Sequence, residues 1–266
     1  MDFNTLSWAA VCFYYRSAGD KKYGAVMADA SFLQRLRKCP ETVDPEEFET
    51  KVILDQVHVE DYDLLVGHML AKKVLAEMVR LQSILSSLLE MSIFTCNLSG
   101  TFTTDAINRV YSDVACVGGL WVTGGSKILH VLNDRLFAML SPDIASTYGL
   151  VDNEFRFVEW MRFVQENARA VVSDFEGQGL SGSPDGFLSE KLGYKKAGYE
   201  KSLVKFLDEY FWLSHGEDLP VPPRWVPSCP GPLTSPDTSG LPELLSDLPQ
   251  DRTPAQTAPV PREDRT

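Results

Sequence analysis

The sequence predicts an all-α protein with a single helical domain over residues 1–217 and a disordered C-terminal tail over residues 218–266. Apolar residues recur at steps of three and four along much of the first part, which is the spacing of one face of a helix. No stretch shows the alternation of apolar and polar residues that is typical of a half-buried strand. Twelve of the sixteen prolines stand at or after Pro220, so the last segment can bury too little apolar surface to fold.

The first helices are predicted by apolar spacing and by capping residues. A helix covers residues 4–17, a short helix covers residues 31–37, and the stretch between them has no clear pattern. Asp44 starts the next helix, over residues 45–56, because its side chain can cap the free backbone N–H groups there. The proline at the first position and Glu47 at the capping-box position support the same start.

The clearest helix is predicted over residues 63–91, at the centre of the domain. Its apolar side chains recur at steps of four and three: Val74, Met78, Leu81, Leu85 and Leu88. They would share one face, which predicts a buried helix. A coiled coil is the alternative, but the repeat lasts less than three heptads.

Four further helices follow, which makes seven or eight in all. They cover residues 105–116, 126–140, 153–175 and 199–213. Thr104 can cap the first of them. A glycine-bearing connection over residues 117–125 joins the first two, and the glycines over residues 177–186 predict a surface loop.

The charge of the chain limits its partners. The net charge is −12, and most of the acidic excess lies before residue 219. An acidic surface repels phosphate backbones and anionic membranes unless basic residues cluster at a local site. No apolar run approaches the roughly 20 residues of a transmembrane helix, and no signal-peptide pattern opens the chain. The sequence therefore predicts a cytoplasmic protein without a membrane partner.

Metal and cofactor sites are not predicted. The five cysteines are far apart and show no CxxC spacing, which argues against a zinc site and a disulfide framework. The four histidines, His58, His68, His130 and His215, are widely separated as well, and a lone histidine is more often a surface group or a satisfied core group than a ligand. The sequence contains no P-loop, dinucleotide-binding glycine motif, nucleophile elbow or HExxH motif. We therefore expect no cofactor.

The proline-rich tail has two interpretations. Its segment Pro220-Val221-Pro222-Pro223 favours polyproline II, a conformation that partner domains recognise. A protein partner could bind the chain there. The alternative is an inert tail.

A glycine pair followed by a lysine is the most informative stretch for function. Thr123, Gly124, Gly125 and Ser126 form a predicted turn between two helices, and Lys127 follows. Such a turn exposes backbone N–H groups at a helix N-terminus, where the helix dipole favours an anion. A helix-hairpin-helix element grips a DNA phosphate in this way. The alternative is that the glycines only let two helices pack closely.

Two segments resemble a family of uncharacterised helical proteins. Residues 126–137 resemble its S-K-x-L-H-x-L-N-x-x-L-F motif, and residues 201–212 resemble its closing helix, in which a lysine precedes Leu-Asp-Glu-Tyr-x-Trp. The chain departs from the family at Asp134, where a proline is expected, and at Leu140-Ser141, where a Trp-Asp pair is expected. The family has no established activity, so the resemblance implies a grouping and not a function.

The glycines and the lysine are also similar, more remotely, to the helix-hairpin-helix DNA glycosylases. The resemblance implies that Lys127 attacks the sugar, that Asp143 assists, and that Trp121 lines a pocket for the flipped base. A lysine nucleophile must be neutral, which requires a lowered pKa. The chain lacks the usual Gly-x-Gly of the hairpin, and its acid is displaced along the sequence.

The acid pair Asp208-Glu209 lies in an apolar helix and has two interpretations. One is a carboxylate pair in a pocket beside Lys205 or a partner base. The other is an acid pair at the edge of a packed helix, hydrogen-bonded to backbone ends or to a lysine of a neighbouring helix. Its apolar neighbours indicate that at least one of the carboxylates approaches the core, where it would require a partner.

Two functions of different classes follow. The first is a helix-hairpin-helix-like, nucleic-acid-associated domain, of which a DNA glycosylase is one form and a diverged copy without its ancestral site is another. The second is a non-enzymatic interaction or regulatory domain with a partner-binding tail. Whether the chain is an enzyme does not follow from its sequence.

Overall fold

The computed structural model describes residues 1–16, 20–57, 64–118, 120–149 and 157–216. A few side chains within these ranges lie outside the description: those of residues 64–66, 121, 122, 142 and 216. The predicted tail over residues 218–266 also lies outside the described residues.

The described residues form twelve α-helices and no strand, which confirms the all-α class for this part of the chain. The helices are α1 (Phe3–Arg16), α2 (Lys21–Ala28), α3 (Ala30–Lys38), α4 (Pro45–Phe48), α5 (Leu64–Arg80), α6 (Gln82–Leu89), α7 (Thr101–Ala115), α8 (Trp121–Leu132), α9 (Pro142–Thr147), α10 (Phe157–Gly177), α11 (Pro184–Lys191) and α12 (Leu203–Gly216). A π-helix (Glu49–Val57) continues α4, and two 3-10 turns cover Pro40–Thr42 and Lys195–Ala197. The prediction of seven or eight helices was too low, because short helices such as α2 and α11 lack a long apolar repeat.

The four prolines of the described chain each stand at the first position of a helical segment: Pro40, Pro45, Pro142 and Pro184. A proline costs nothing there, because its missing N–H would have no partner within the helix. Asp44 caps α4 as predicted, with its side chain accepting a hydrogen bond from the Glu46 backbone N–H at 3.1 Å.

The prediction of one long helix over residues 63–91 was wrong. Leu81 interrupts it with φ −91° and ψ 2°, so α5 and α6 are separate helices. Just after the interruption, the Gln82 side chain donates a hydrogen bond to the backbone carbonyl of Arg37 in the last turn of α3, at 3.0 Å. The apolar repeat still predicts burial correctly, because Leu81 and Leu85 both lie in the core.

The glycine turn was also predicted wrongly, because α8 begins at Trp121 and contains Gly124 and Gly125. A Cβ on Gly125 would lie 2.9 Å from the Cα of Ala115 on α7, closer than real side chains approach. The Gly124 backbone N–H donates to the Leu120 carbonyl at 3.1 Å and is not free for an anion. The glycines therefore serve the close packing of α7 against α8, the alternative that the sequence left open.

Helix α12, the last of the described helices, lies among several other helices. It packs along α1 and also contacts α9, α10 and α11. Helix α10 contacts α1 and α7, and α8 packs against α7 and the π-helix. Aromatic side chains fill the spaces between them, as where the rings of Phe3 and Phe175 meet edge to face at 4.8 Å. Charged residues on α12 must therefore be accommodated within the core.

We expect Gly125→Ala to lower the free energy of unfolding by about 1 to 3 kcal/mol, because the new methyl group would push against the α7 backbone. The control is Gly118→Ala in the connection before α8, where a Cβ would meet nothing within 4 Å. Its effect should stay within about 0.5 kcal/mol. Urea denaturation measures both values, and equal effects would contradict the close contact.

Candidate functional site

Charged residues enter the core at the start of α12. Lys201, Lys205 and Glu209 recur every four residues, and Lys201 and Glu209 are 0% and 1% exposed. Removing such groups from water costs several kcal/mol each unless they are paired and hydrogen-bonded. Their partners therefore decide whether this part of the fold is stable.

Lys201 has a complete set of partners. Its ammonium donates hydrogen bonds to the Glu209 carboxylate and to the Tyr194 hydroxyl, the latter at 3.0 Å. The Asp20 Oδ2 atom lies 3.6 Å away, and the Tyr194 ring centre lies 4.3 Å away. The buried charge is thus neutralised by carboxylates and stabilised by an aromatic face.

The backbone around Lys201 is fixed by two serines. The Lys201 N–H donates to the Ser189 hydroxyl at 3.0 Å, which anchors the segment before α12 to α11. Ser202 caps α12 by accepting a hydrogen bond from the Lys205 N–H at 3.2 Å, and its hydroxyl donates to the Asp134 carbonyl at 2.8 Å. Ser202 belongs to the second motif of the predicted family resemblance, residues 201–212, and Asp134 belongs to the first, residues 126–137. This hydrogen bond therefore joins the two motifs.

Lys205 lies among three carboxylates. Its Nζ is 3.0 Å from Asp208 Oδ2, 3.8 Å from Asp20 Oδ2 and 3.9 Å from Glu209 Oε1. Burial alone would lower the pKa of Lys205. The negative charges of Asp208, Asp20 and Glu209 act in the opposite direction and outweigh burial, so the pKa of Lys205 is raised above its ordinary value. Lys205 is therefore an ammonium at neutral pH.

Asp20 has a left-handed backbone, with φ 52° and ψ 48°, and is the one non-glycine residue of the described chain with positive φ. Aspartate tolerates this region better than most residues do. The conformation, just before α2, brings its carboxylate within 4 Å of both Lys201 and Lys205. The strained residue thus supplies charge that the two buried lysines require.

Glu209 is the acid of the predicted pair that enters the core. One carboxylate oxygen accepts from Lys201, whereas Oε2 accepts no hydrogen bond within the described residues. Burial raises the pKa of Glu209 to about 7, although Lys201 and Lys205 act to lower it. Its neighbour Asp208 is only partly buried and binds Lys205.

His130 is a satisfied core histidine. Its Nδ1 is 2.7 Å from the Phe137 carbonyl, which can only accept, so Nδ1 carries the proton. Burial lowers the pKa of His130, and in the neutral ring Nε2 accepts from the Tyr23 hydroxyl at 3.1 Å. The same hydroxyl lies 3.3 Å from Asp134 Oδ2, so its single proton is shared between two acceptors.

Other polar residues of the first motif are structural as well. Asn133 donates to the backbone carbonyls of Leu88 and Met91 at 3.0 and 2.8 Å, which completes the end of α6. Ser126 is buried and accepts from the Leu140 N–H at 2.9 Å. Lys127 differs from these residues, because it makes no hydrogen bond or ion pair to any described residue.

Lys127 is half-buried on α8, and its surroundings disfavour its charge. Burial lowers the pKa of Lys127, Lys205 lowers it further, and Asp208 opposes them. A lowered pKa increases the fraction of neutral amine, which is the nucleophilic form. The direction of the shift thus favours the form of the amine that can attack an electrophilic carbon.

The other residues predicted for the site are not all brought together. Asp143 lies exposed in the first turn of α9, and the described charges that act on Lys127 are Asp208 and Lys205. Thr123 is half-buried in the first turn of α8, and the side chain of Trp121 lies outside the described part of the chain. The Asp208 charge acts to raise the pKa of Lys127, and Gly124 and Gly125 lie within α8 and form no turn beside it.

The sequence analysis missed the buried charge of Lys201 and two of its partners, the Tyr194 hydroxyl and the partly buried Asp20 carboxylate. The signal for Lys201 was present, since lysines and an acid recur every four residues among apolar residues at the start of the last helix. A charge at a core-facing position requires a partner. The partners Tyr194 and Asp20 could not be predicted, because they come from other segments.

Comparison with known proteins gives no match to a family model, a curated protein or a solved structure. The two family resemblances therefore stay predictions. The described helices include none that is long and apolar enough to cross a membrane. In the same residues, no three His, Cys, Asp or Glu side chains group as a metal site, and the four described cysteines are free.

We expect Lys201→Met to lower the free energy of unfolding by about 3 to 5 kcal/mol at about pH 8, because it leaves the ionised Glu209 buried without its partner. The double variant Lys201→Met/Glu209→Leu removes both charges and should lose less stability than Lys201→Met alone. Chemical denaturation of the four proteins of this cycle measures the coupling. Losses of stability that simply add in the double variant would contradict the ion pair. The control is Lys195→Met, which removes an exposed lysine of the same segment and should change the free energy of unfolding by less than about 1 kcal/mol.

Glu209 should also give the protein a pH-dependent stability. Its pKa is about 7 when folded, against an ordinary value of 4.5. The folded protein therefore keeps a proton that the unfolded chain loses in this window, and stability falls as the pH rises through it. We expect the free energy of unfolding of Glu209→Gln, relative to wild type, to increase by up to about 3 kcal/mol across the window. A constant difference would contradict the raised pKa.

Proposed function

We propose that this chain is a nucleic-acid-associated domain in which Lys127 is the amine nucleophile of a DNA glycosylase-like reaction. The observation that carries the proposal is the environment of Lys127. Its amine is half-buried, its pKa is lowered by burial, and no described residue pairs with it. Burial and a lowered pKa favour the neutral amine, which is the form of lysine that attacks carbon.

The reaction is imine formation at a deoxyribose carbon. At an abasic site, the neutral Nζ atom attacks the C1′ aldehyde and forms the C–N bond, and the carbonyl oxygen leaves as water with the two amine protons. In base excision the same attack at C1′ breaks the glycosidic bond, and its electron pair leaves with the base. The Asp208 carboxylate, which acts on Lys127, can stabilise the positive charge that develops on the sugar and nitrogen.

The helices around Lys127 suit a phosphate contact. Helices α7 and α8 are joined by the short connection over residues 116–120 and pack closely at Gly125. The first turn of α8, residues 121–123, has backbone N–H groups without acceptors in the helix, and such groups bind anions. In this proposal a phosphate meets that turn, and the rest of the acidic surface makes DNA binding local and sensitive to salt.

Borohydride trapping tests the proposal. DNA duplexes that carry an abasic site, a uracil or an oxidised guanine are incubated with the full chain and sodium borohydride, which reduces an imine to a stable amine. We expect a covalent adduct with wild type and none with Lys127→Ala. The control is Lys73→Ala, which removes an exposed lysine on α5 and should keep the adduct.

Borohydride trapping can also reject the proposed function. If wild type gives no adduct and shows no measurable DNA binding at low salt, the nucleic-acid function is rejected. The non-enzymatic interaction domain, which the sequence also predicted, would then replace it.

A further inference from the structure

Two short segments of the chain are basic, although the chain as a whole is acidic. Residues 14–24 and 191–200 together contain six of the 25 Lys and Arg residues but only two of the 37 Asp and Glu residues. The rest of the chain is therefore even more acidic than the net charge of −12 indicates. A polyanion would be attracted to these two segments and repelled by much of the remaining surface.

The two basic segments lie against each other in the fold. The ring centres of Tyr14 and Tyr194 are 5.7 Å apart and meet nearly edge to face. Towards the other ends of the segments, a Cβ on Gly24 would lie 2.7 Å from the ring of Tyr199. These two contacts join the segments at separate points, so their exposed residues belong to one surface.

Four lysines of this surface extend into solvent. Lys21 and Lys22 form the first turn of α2, where Lys21 is exposed and the Lys22 side chain is 63% exposed. Lys195 and Lys196 begin the 3-10 turn, and both are exposed. The turn ends at Gly198, whose positive φ of 91° reverses the chain towards the core. We call these four lysines the lysine surface.

Nearby acids cancel only part of the charge of the lysine surface. Asp20 lies within 4 Å of the two buried lysines of α12, whose charge it helps to balance. Asp55 is 3.1 Å from Lys22, and Glu200 is 3.5 Å from Lys195. Ion pairs between exposed side chains are weak, so a phosphate group can compete with these two acids.

The side chains around the lysines favour a nucleic acid over an anionic membrane. Tyr15 and Tyr199 are half-buried residues of the same two segments. A tyrosine hydroxyl can bind a phosphate oxygen, and a tyrosine ring can stack on an unpaired base. Proteins that lie on membranes usually insert apolar side chains. Among the described residues, the large apolar side chains that are exposed all lie outside these two segments.

We propose that the lysine surface binds the phosphate backbone of DNA. The choice of DNA rests on the proposed function, because lysine contacts to phosphates carry no sequence information and fit any nucleic acid. The lysine surface is the local cluster of basic residues that an acidic chain requires for such a partner.

Fluorescence anisotropy tests this inference without the covalent step. The probe is a short fluorescein-labelled duplex with a tetrahydrofuran abasic-site analogue, which has no aldehyde and forms no imine. Binding of the full chain is measured as NaCl is raised from about 50 to about 200 mM. Lys21→Gln and Lys196→Gln each remove one exposed lysine, one from each segment.

We expect each single variant to weaken binding by about three- to tenfold at the lowest salt concentration, and the double variant to weaken it further. The slope of log K against log salt should become shallower by about 0.9 for each lysine removed, because fewer counterions are released. The matched control is Lys72→Gln/Lys73→Gln, which removes two exposed lysines from α5 and gives the same net charge as the double variant. It should bind DNA like wild type.

Three results would overturn the inference. The first is an equal loss of binding in the control and in Lys21→Gln/Lys196→Gln, since binding would then follow net charge alone. The second is unchanged binding in that double variant, or no binding by wild type at low salt. The third is binding of wild type to vesicles of phosphatidylserine and phosphatidylcholine but not to DNA, which would make this a membrane surface.

The two proposals fail in different ways. If the lysine variants weaken binding as expected but borohydride traps no adduct, the lysine surface stands and the glycosylase-like reaction is wrong. If an adduct forms through Lys127 while the lysine variants bind like wild type, the reaction stands and the lysine surface is overturned.

Discussion

The fold depends on neutralising the Lys201 ammonium within a helical core. The residue is fully buried, and the groups that balance it come from separate segments: Glu209 on α12, Tyr194 in the segment before it, and Asp20 ahead of α2. An unpaired charge at this depth would cost more than the net stability that a typical domain can spare. The charge requirement therefore fixes the N-terminal helices, the 194–202 segment and the last helix relative to one another.

The same charges extend from the core towards the surface. Lys205 connects the buried Glu209 to Asp20 and Asp208, which are both partly exposed, and the charge of Asp208 in turn acts on the pKa of Lys127. Lys127 is the lysine of this group that has no described hydrogen-bond or ion-pair partner. Burial is the main cause of the lowered pKa of Lys127, and Asp208 and Lys205 of this network act on that pKa with opposite sign.

Local patterns in the sequence predicted much of the fold, whereas contacts between segments that are distant in sequence could not be predicted. Apolar spacing found α1, α10 and α12, and Asp44 with the proline after it gave the start of α4. The break at Leu81 and the close contact of Gly125 with Ala115 depend on neighbouring helices, so periodicity could not show them. Lys127 and Asp208 were singled out from residue type and position, whereas the charges that surround them become neighbours only through folding.

The most direct test is a titration of Lys127 itself. Heteronuclear NMR of the full chain, labelled with carbon-13 at the lysine side chains, follows the ε-methylene signals with pH, and the Lys127 signal is the one missing in Lys127→Arg. We predict a midpoint below the ordinary lysine pKa of 10.5, because burial and Lys205 outweigh Asp208. A midpoint at or above 10.5 would contradict the account, since Lys127 would then be an ordinary paired or solvated ammonium.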